Sequence, residues 1–377
     1  MEVLVTGGTG FVGSHLVRRL LSHGHHVRTL DKNPGLFDGE LQNLGAELVA
    51  GSVSDADMVD RCIAGCDIVF HLASPFGDIL QPDSVYWDVE VAGTRNVLES
   101  SERHGVKRVV HCSTQGVHGS LAETPGDENS AFSPQDYYCY SKVEGERVCQ
   151  EFLARGMDIV IVRPTSVYGP GDTRGWLKLY RMVARGWFPM IGDGKTLNHP
   201  VYVENLAELF ELAATTPRAK GRAYLAGDDQ PVTLSELVRG VAEALGTEVR
   251  IIKFPWYEAA RLGASVVETV SKSMSMKPPV FRRRLSWYKT NRAFRIDRAK
   301  DELGYRPKIG LREGLARTAE WYRANGRLDA PVHTTYDGSD SARPMQPSAV
   351  LADDVTGPGG WKEKLHESRD ISGSRSR

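Results

Sequence analysis

The sequence predicts an α/β fold built on a doubly wound parallel sheet, and two observations indicate it. Six short runs rich in apolar and β-branched residues recur within the first 165 residues. The stretches between them carry apolar residues at helical spacing and place a glycine where a helix would stop. Near-continuous apolar strands that alternate with helices are typical of a parallel sheet covered on both faces.

The predicted strands follow one another along the first part of the chain. In order they are EVLVT (2–6), HVRTLD (26–31), AELVAGS (46–52), DIVFHLAS (67–74), KRVVHCST (107–114) and DIVIVRP (158–164). The predicted helices between them include GSHLVRRLLSHG (13–24) and GTRNVLESSERHG (93–105). We therefore expect a first domain over residues 1–170.

The pattern loosens after this point. Helices are predicted over 233–246, 296–305 and 311–326. Thr233 can cap the first of these, and Glu236 stands at the third helical position, which is the reciprocal capping arrangement. Residues 329–377 are rich in Ser, Asp, Gly, Pro and Arg and lack periodicity, so we expect a disordered or loosely docked tail.

The composition is that of an ordinary globular protein, with 41% hydrophobic and 25% charged residues. The net charge of −1 argues against a nucleic-acid partner. The cysteines suggest no disulfide framework, and Cys62 and Cys66 have no second Cys/His pair, so no metal is expected. We expect a cytoplasmic location, without a signal peptide or a transmembrane helix.

A glycine-rich turn follows the first predicted strand. In VLVTGGTGFVGSHL, Gly7, Gly10 and Gly13 stand between that strand and the start of a helix. Glycine allows a tight turn and a close approach of a pyrophosphate, and the helix N-terminus offers N–H groups to the anion. This context predicts a dinucleotide-binding site rather than a turn without a ligand.

Asp31 ends the second predicted strand, where a carboxylate can accept both hydroxyls of the adenosine ribose and would repel a 2′-phosphate. This position favours NAD over NADP as the cofactor. Lys32 and Arg28 are nearby cations that could soften that preference.

The stretch YYCYSKVEGE (137–146) contains three tyrosines. Tyr138 and Lys142 are four residues apart, and on a helix this spacing places them on one face. An ammonium group beside a phenol lowers the phenol's pKa, which would suit Tyr138 to acid/base chemistry. Tyr137 and Tyr140 have Ser141 and Glu144 at the same spacing, and neither partner is cationic.

Several motifs together resemble the extended short-chain dehydrogenase/reductase superfamily, specifically its NAD-dependent epimerase/dehydratase group. They are TGGTGFVG (6–13), FHLAS (70–74), GTRNVLES (93–100), GVKRVVHCST (105–114), YCYSK (138–142), VRPTSVYGPGD (162–172) and DELGYRPKIGLREGL (301–315). The resemblance covers about residues 1–326. It implies a Rossmann-type NAD-binding domain, to which some later segments return, and a smaller α/β substrate domain mainly over 171–328.

The resemblance also implies a catalytic set of Thr114, Tyr138 and Lys142, with Lys142 holding the nicotinamide ribose. The residues expected to contact NAD are Gly7, Gly10, Phe11, Val12, Gly13, Asp31, Lys32, Ser52, Val53, Leu72, Ala73, Ser74, Tyr138, Lys142, Pro164 and Val167.

Three positions depart from the family pattern. Glu90 replaces the usual asparagine, which puts a hydrogen bond or water relay in doubt and could shift the pKa of Tyr138. Ser52 stands where an aspartate usually contacts adenine. His118 replaces the tyrosine of the usual tyrosine-glycine pair, and we expect a structural role for it rather than a catalytic one.

Two parts of the sequence bear on the substrate. Nucleotide-sugar enzymes often have an arginine where this chain has Asn198, followed here by His199. Residues 254–287 and the stretch YVENLAE (202–208) are similar to 3β-hydroxysteroid and sterol dehydrogenases. The predicted substrate contacts are Pro75, Phe76, Gln115, Arg174, Asn198 and His199.

Three functional hypotheses follow. The first is oxidation of a secondary alcohol on a sterol-like or other apolar substrate, and the second is a nucleotide-sugar epimerase or dehydratase. The third is a non-catalytic dinucleotide sensor. For residues 254–287 we weigh a packed helix against an apolar lid or peripheral membrane contact. A homodimer, paired through the helices near Gly93 and Tyr137, is also expected.

Overall fold

The structure, a computed structural model, describes residues 1–75, 81–254 and 288–328. Phe76, the tail 329–377 and the segment 254–287 apart from Phe254 therefore lie outside the described residues. The strands are β1 (Glu2–Thr6), β2 (His26–Asp31), β3 (Glu47–Ala50), β4 (Ile68–His71), β5 (Arg108–Cys112), β6 (Ile159–Pro164), β7 (Ser166–Tyr168), β8 (Trp187–Ile191), β9 (Leu197–Asn198), β10 (Pro200–Tyr202), β11 (Ala223–Ala226), β12 (Val232–Thr233) and β13 (Arg250–Phe254).

A seven-stranded sheet in the order β11-β6-β5-β4-β1-β2-β3 organises the chain, and its neighbouring strands are all parallel. The six predicted strands all belong to this sheet, so the predicted Rossmann-like α/β fold is confirmed. The chain order reverses at β1, which has β4 on one side and β2 on the other. Ligands of such sheets bind at the carboxyl ends of the strands beside this reversal.

Helices cover both faces of the sheet. They are α1 (Phe11–Ser22), α2 (Asp38–Asn43), α3 (Ala56–Ile63), α4 (Asp83–Trp87), α5 (Gly93–Arg103), α6 (Tyr137–Ala154), α7 (Gly175–Ala184), α8 (Val203–Thr215), α9 (Leu234–Leu245), α10 (Asp297–Leu303) and α11 (Leu311–Ala324). A π-helical turn, Asp88–Ala92, joins α4 to α5. The predicted reciprocal cap of Thr233 and Glu236 is present at the start of α9 and is confirmed.

Strand β1 shows why both faces must be covered. Val3 and Val5 pack into one hydrophobic cluster, whereas Leu4 packs into another. Successive side chains of a strand point to opposite faces, so a run of apolar residues buries both. A third cluster, formed mainly by α7, α9 and α11, lies in the second half of the chain. The predicted domain boundary near residue 170 stays a prediction.

Three pairs of short strands complete the described fold: β7 with β10, β9 with β12, and β8 with β13. In the last pair, Trp187, Ile252 and Phe254 are exposed. Of the helices within the described ranges, none combines the length and the apolar character needed to cross a membrane.

A buried ion pair fastens α6 to the sheet. Arg163 of β6 donates from Nε and NH2 to the two carboxylate oxygens of Glu146, at 2.9 and 2.6 Å. Ser113, just after β5, donates to the same carboxylate at 2.5 Å. The carboxylate and the guanidinium are both removed from water. Their mutual attraction therefore has to offset the free-energy cost of desolvating each charge.

We expect Arg163→Met to lower the free energy of unfolding by about 3–5 kcal/mol, because it leaves the Glu146 charge buried and unpaired. Urea unfolding followed by circular dichroism measures this loss. Arg147→Met is the control, since it removes an exposed guanidinium that pairs with the half-buried Glu144 within the same helix, and it should cost no more than about 1 kcal/mol. Equal effects of the two substitutions would contradict the structural role of the buried pair.

Candidate active site

The glycine turn after β1 forms a cradle made of backbone. Gly7 has a φ of +74°, in the left-handed region that favours glycine. A Cβ at Gly13 would lie 2.0 Å from the carbonyl oxygen of Gly7, and a Cβ at Gly7 would lie 2.8 Å from the Ala73 nitrogen. Gly10 is the N-cap of α1 and, as a glycine, has no side chain to cap it. The cradle therefore fits a pyrophosphate held at a helix N-terminus.

Asp31 ends β2 beside this cradle. Its carboxylate accepts a hydrogen bond from the Thr9 N–H at 3.1 Å. Burial raises the pKa of Asp31 to about 6. Lys32 lines the cleft that the glycine cradle borders. The Arg28 guanidinium instead donates to Glu47 at 2.8 Å and to the Cys62 carbonyl at 2.9 Å. Because its guanidinium is engaged by Glu47 and Cys62, Arg28 is not expected to bind the 2′-phosphate of NADP.

One cleft of about 1410 Å³ joins the cradle to the rest of the site. All the residues predicted to contact NAD line its walls: Gly7, Gly10, Phe11, Val12, Gly13, Asp31, Lys32, Ser52, Val53, Leu72, Ala73, Ser74, Tyr138, Lys142, Pro164 and Val167. The strands and loops that contribute them meet because parallel strands end at the same edge of the sheet. The structure thus places the predicted NAD contacts together, and their role stays a prediction.

The predicted catalytic set lies at the other end of this cleft, where Thr114, Tyr138 and Lys142 line the wall. Helix α6 begins at Tyr137 because the Asp136 carboxylate caps it, accepting from the Cys139 N–H at 2.8 Å. Tyr138 and Lys142 stand in its first two turns. The hydroxyl oxygen of Thr114 accepts from the Gly116 N–H at 3.1 Å.

The ionisation of Tyr138 differs from the sequence-based prediction. Its pKa is raised well above 10 rather than lowered, first by burial and next by the negative charge of Glu90. The expectation of a lowered pKa for Tyr138 is therefore wrong. Glu90 does shift the pKa of Tyr138, as predicted, and it raises it.

Glu90 forms a buried ion pair with Lys142, the residue expected to lower the pKa of Tyr138. Its side chain is fully buried, and its Oε2 lies 2.7 Å from Lys142 Nζ. Ser74 donates to the other carboxylate oxygen at 2.6 Å, and Lys142 also donates to the Cys112 carbonyl at 2.8 Å. Burial is the largest single effect on the pKa of Lys142 and lowers it, but the charge and hydrogen bond of Glu90, together with Cys112 and Glu146, leave the pKa raised.

The predicted substrate contacts separate into two groups. Pro75, Gln115, Arg174 and Asn198 line the cleft. His199 does not: its Nε2 donates to the Asp228 carbonyl at 2.7 Å, and its Nδ1 accepts from the Phe294 N–H at 3.4 Å. The prediction that His199 contacts substrate is therefore corrected, because both ring nitrogens are occupied within the fold and the side chain is buried.

Two further residues clarify the site. His118 is buried between the rings of Phe132 and Phe294, and its Nε2 lies 3.3 Å from Arg163, in agreement with the structural role expected for it. Arg292 lines the cleft and was not predicted. It pairs through a β-bridge with Asn198, which is far away in the sequence, and no local motif marks such an approach.

We expect NAD affinity to fall as the pH drops through about 6, by up to about tenfold per unit, because only the ionised Asp31 accepts the ribose hydroxyls. The sign follows because NAD favours the carboxylate, so protonation opposes binding. Asp31→Asn should weaken binding roughly 10- to 100-fold near neutral pH and remove this pH dependence. Calorimetric titrations with NAD between about pH 5 and about pH 8 test both effects.

Asp55→Asn is the matched control, since Asp55 caps α3 by accepting from the Met58 N–H and asparagine caps equally well. It should bind NAD as the unmodified chain does. A pH dependence that survives in Asp31→Asn, or a preference of the unmodified chain for NADP, would contradict the assignment.

Comparisons with known proteins agree with this geometry. The sequence model of the NAD dependent epimerase/dehydratase family matches residues 3–227. The N-acetyl-alpha-D-glucosaminyl-diphospho-ditrans,octacis-undecaprenol 4-epimerase of Escherichia coli O157:H7 is 28% identical, over 87% of this chain and 97% of its own length. The 3 beta-hydroxysteroid dehydrogenase/Delta 5→4-isomerase of Mycobacterium tuberculosis is 31% identical, over 85% and 90%.

A solved structure extends the comparison to the fold. The dTDP-glucose 4,6-dehydratase of Streptomyces venezuelae, solved with NAD bound, superposes with a TM-score of 0.69 at 27% identity. The match covers 87% of this chain and 99% of that one. Because the family model matches more than half of this chain, the chain belongs to the NAD-dependent epimerase/dehydratase family and is an NAD-dependent enzyme.

Proposed function

We propose that this enzyme transfers a hydride between NAD and a secondary hydroxyl or ketone, with Tyr138 as the acid/base. The observation that carries the proposal is that Thr114, Tyr138 and Lys142 line the same cleft as the glycine cradle and Asp31. Because the family consists of NAD-dependent enzymes, the hypothesis of a non-catalytic sensor is set aside.

The side chains divide the work as follows. NAD, when bound, accepts or returns the hydride. Tyr138 takes the proton of the substrate hydroxyl during oxidation and returns it to the carbonyl oxygen during reduction. Thr114 accepts from the Gly116 N–H, so its own O–H can donate to the substrate oxygen. Lys142, held by Glu90 and the Cys112 carbonyl, would hold the nicotinamide ribose.

For the substrate we favour a sterol-like or other apolar secondary alcohol. The position that holds an arginine in many nucleotide-sugar enzymes is Asn198 here, and this neutral amide lines the cleft. Pro75, Val85, Val89 and Trp176 are apolar residues that line the same cleft. The mycobacterial relative is named for a 3β-hydroxysteroid, which has a secondary hydroxyl on an apolar ring system.

A second candidate, epimerisation or dehydration of a sugar attached to a diphosphate, is favoured by a different observation. Arg174 and Arg292 both line the cleft, and Arg292 adjoins Asn198 through a β-bridge. Guanidinium groups suit the two-pronged recognition of phosphate oxygens. In this reaction the hydride returns to the substrate, so no NADH accumulates.

Three expectations from the sequence accompany the proposal. The homodimer would pair through α5 and α6. The location would be cytoplasmic, and any peripheral membrane contact would involve residues 254–287. These expectations stay predictions.

Net NADH distinguishes the two candidate reactions. Thermal-shift measurements across 3β-hydroxysterols and UDP-, GDP- and dTDP-sugars identify the binder, because stabilisation increases with ligand concentration relative to its dissociation constant. A dehydrogenase should then form one NADH per substrate consumed, as measured by absorbance. Conversion of a sugar without NADH would instead establish the second candidate.

We expect Tyr138→Phe to lower kcat on that substrate by roughly 10²- to 10⁴-fold while NAD still binds, because the proton acceptor is lost and the ring is kept. Steady-state kinetics and NAD titration measure the two effects. Tyr140→Phe is the matched control, since Tyr140 is on the same helix and is buried against Tyr137. Full activity in Tyr138→Phe would refute the catalytic assignment.

A further inference from the structure

Glu90 brings a full negative charge into the catalytic end of the cleft. It lies within the π-helical turn between α4 and α5, and its side chain has no exposed surface. Its two carboxylate oxygens contact Lys142 Nζ at 2.7 Å and the Ser74 hydroxyl at 2.6 Å. The usual residue at this position, asparagine, is neutral. The substitution therefore adds a charge where the family pattern has only an amide.

That charge alters what Lys142 can do for Tyr138. Alone, a buried ammonium would favour the phenolate. Paired with Glu90 it forms a nearly neutral unit, and the carboxylate itself opposes a second negative charge on the phenol. Little water screens these charges, because both side chains of the pair are at most 3% exposed. The raised pKa of Tyr138, with burial and then Glu90 as its causes, agrees with this geometry.

The other titratable groups that face Lys142 are His71 of β4, His111 and Cys112 of β5, and Glu146 and Cys149 of α6. Burial raises the pKa of Cys149, so this thiol is uncharged. Burial lowers the pKa of both histidines and raises that of Cys112 to about 11, so these three are neutral near neutral pH. Glu146 is balanced by Arg163.

Facing Tyr138 are Cys112, Cys139 and Asp136, together with the ring of Tyr86 from α4 at 6.0 Å. The Asp136 carboxylate is engaged in capping α6. Lys142 and Glu90 are therefore the charges that decide the state of the phenol.

We propose that Glu90 is a positioning residue that holds and neutralises Lys142, so that Tyr138 stays protonated and the enzyme at neutral pH is set to donate a proton to a ketone. This inference rests on the proposed role of Tyr138 as the acid/base. In reduction, the Tyr138 O–H would give its proton to the carbonyl oxygen, and bound NADH would supply the hydride to the carbon. In oxidation, Tyr138 would first lose its proton to solvent, and its phenolate would take the hydroxyl proton, with bound NAD as the hydride acceptor.

The test follows the phenol directly and needs no substrate. Protein labelled with ¹³C at tyrosine Cζ is titrated by NMR from about pH 7 to about pH 11, with and without NAD. Of the 13 tyrosine signals, the one lost in Tyr138→Phe belongs to Tyr138. We expect Glu90→Gln and Glu90→Asn to titrate Tyr138 about 1–3 pH units lower than the unmodified chain.

Two further variants separate charge from structure. Glu90→Asp retains the carboxylate, so Tyr138 should titrate near its unmodified value even if the contact with Ser74 weakens. Glu144→Gln removes a carboxylate from the same helix that pairs with Arg147 instead, and should leave Tyr138 unchanged. Glu90→Gln introduces an amide of equal size, and Glu90→Asn introduces the family's usual residue. If one of these two variants fails to fold, the other still tests the inference.

A Tyr138 signal that titrates at the same pH in Glu90→Gln and Glu90→Asn as in the unmodified chain would overturn the inference. So would an equal shift in Glu90→Asp, or no titration of Tyr138 in any variant. These results are separable from failure of the proposed function. Full activity in Tyr138→Phe would remove the proposed function, whereas an inactive Tyr138→Phe with no shift in the Glu90 variants would remove only this inference.

Discussion

The buried contact of Glu146 with Arg163 and Ser113 determines where α6 lies against the sheet. Tyr138, Lys142 and Glu146 are spaced four residues apart, so they form one stripe on the helix. The last member of this stripe is bound to β6 and to the end of β5. The first two are thereby held at the carboxyl edge of the sheet, where the cleft lies. The proposed catalytic geometry therefore depends on an ion pair that takes no part in the proposed chemistry.

The two ends of the cleft use burial in different ways. At the adenosine end, burial makes Asp31 a weaker acid than usual, yet it stays ionised near neutral pH and can accept ribose hydroxyls. At the catalytic end, burial and Glu90 act together to keep a phenol protonated. Both effects arise because the charged form of a group is poorly solvated inside the protein. Tyr138 differs from Asp31 in that a neighbouring carboxylate, Glu90, also opposes its ionisation.

The substrate end combines features that point to different ligands. Asn198 is a neutral amide, and apolar side chains such as Trp176 share the wall with it. Two basic residues, Arg174 and Arg292, line the same cleft. Relatives named for an epimerase of a diphospho-linked sugar and for a steroid dehydrogenase match this chain over comparable lengths. Shared hydride and proton chemistry explains why the catalytic residues alone do not separate these substrates.

Patterns along the chain were enough to predict the alternation of strands and helices, the glycine turn, the position of Asp31 and the spacing of Tyr138 with Lys142. These features are local: a strand period, a helix period or a turn requires only neighbouring residues. The folded structure was needed to see that Lys142 pairs with Glu90, that His199 is hydrogen-bonded inside the fold, and that Arg292 reaches Asn198. Each of these contacts joins distant parts of the chain. The ionisation of Tyr138 was predicted wrongly for the same reason, since the sign of a pKa shift depends on burial and on all nearby charges, whereas spacing identifies only one of them.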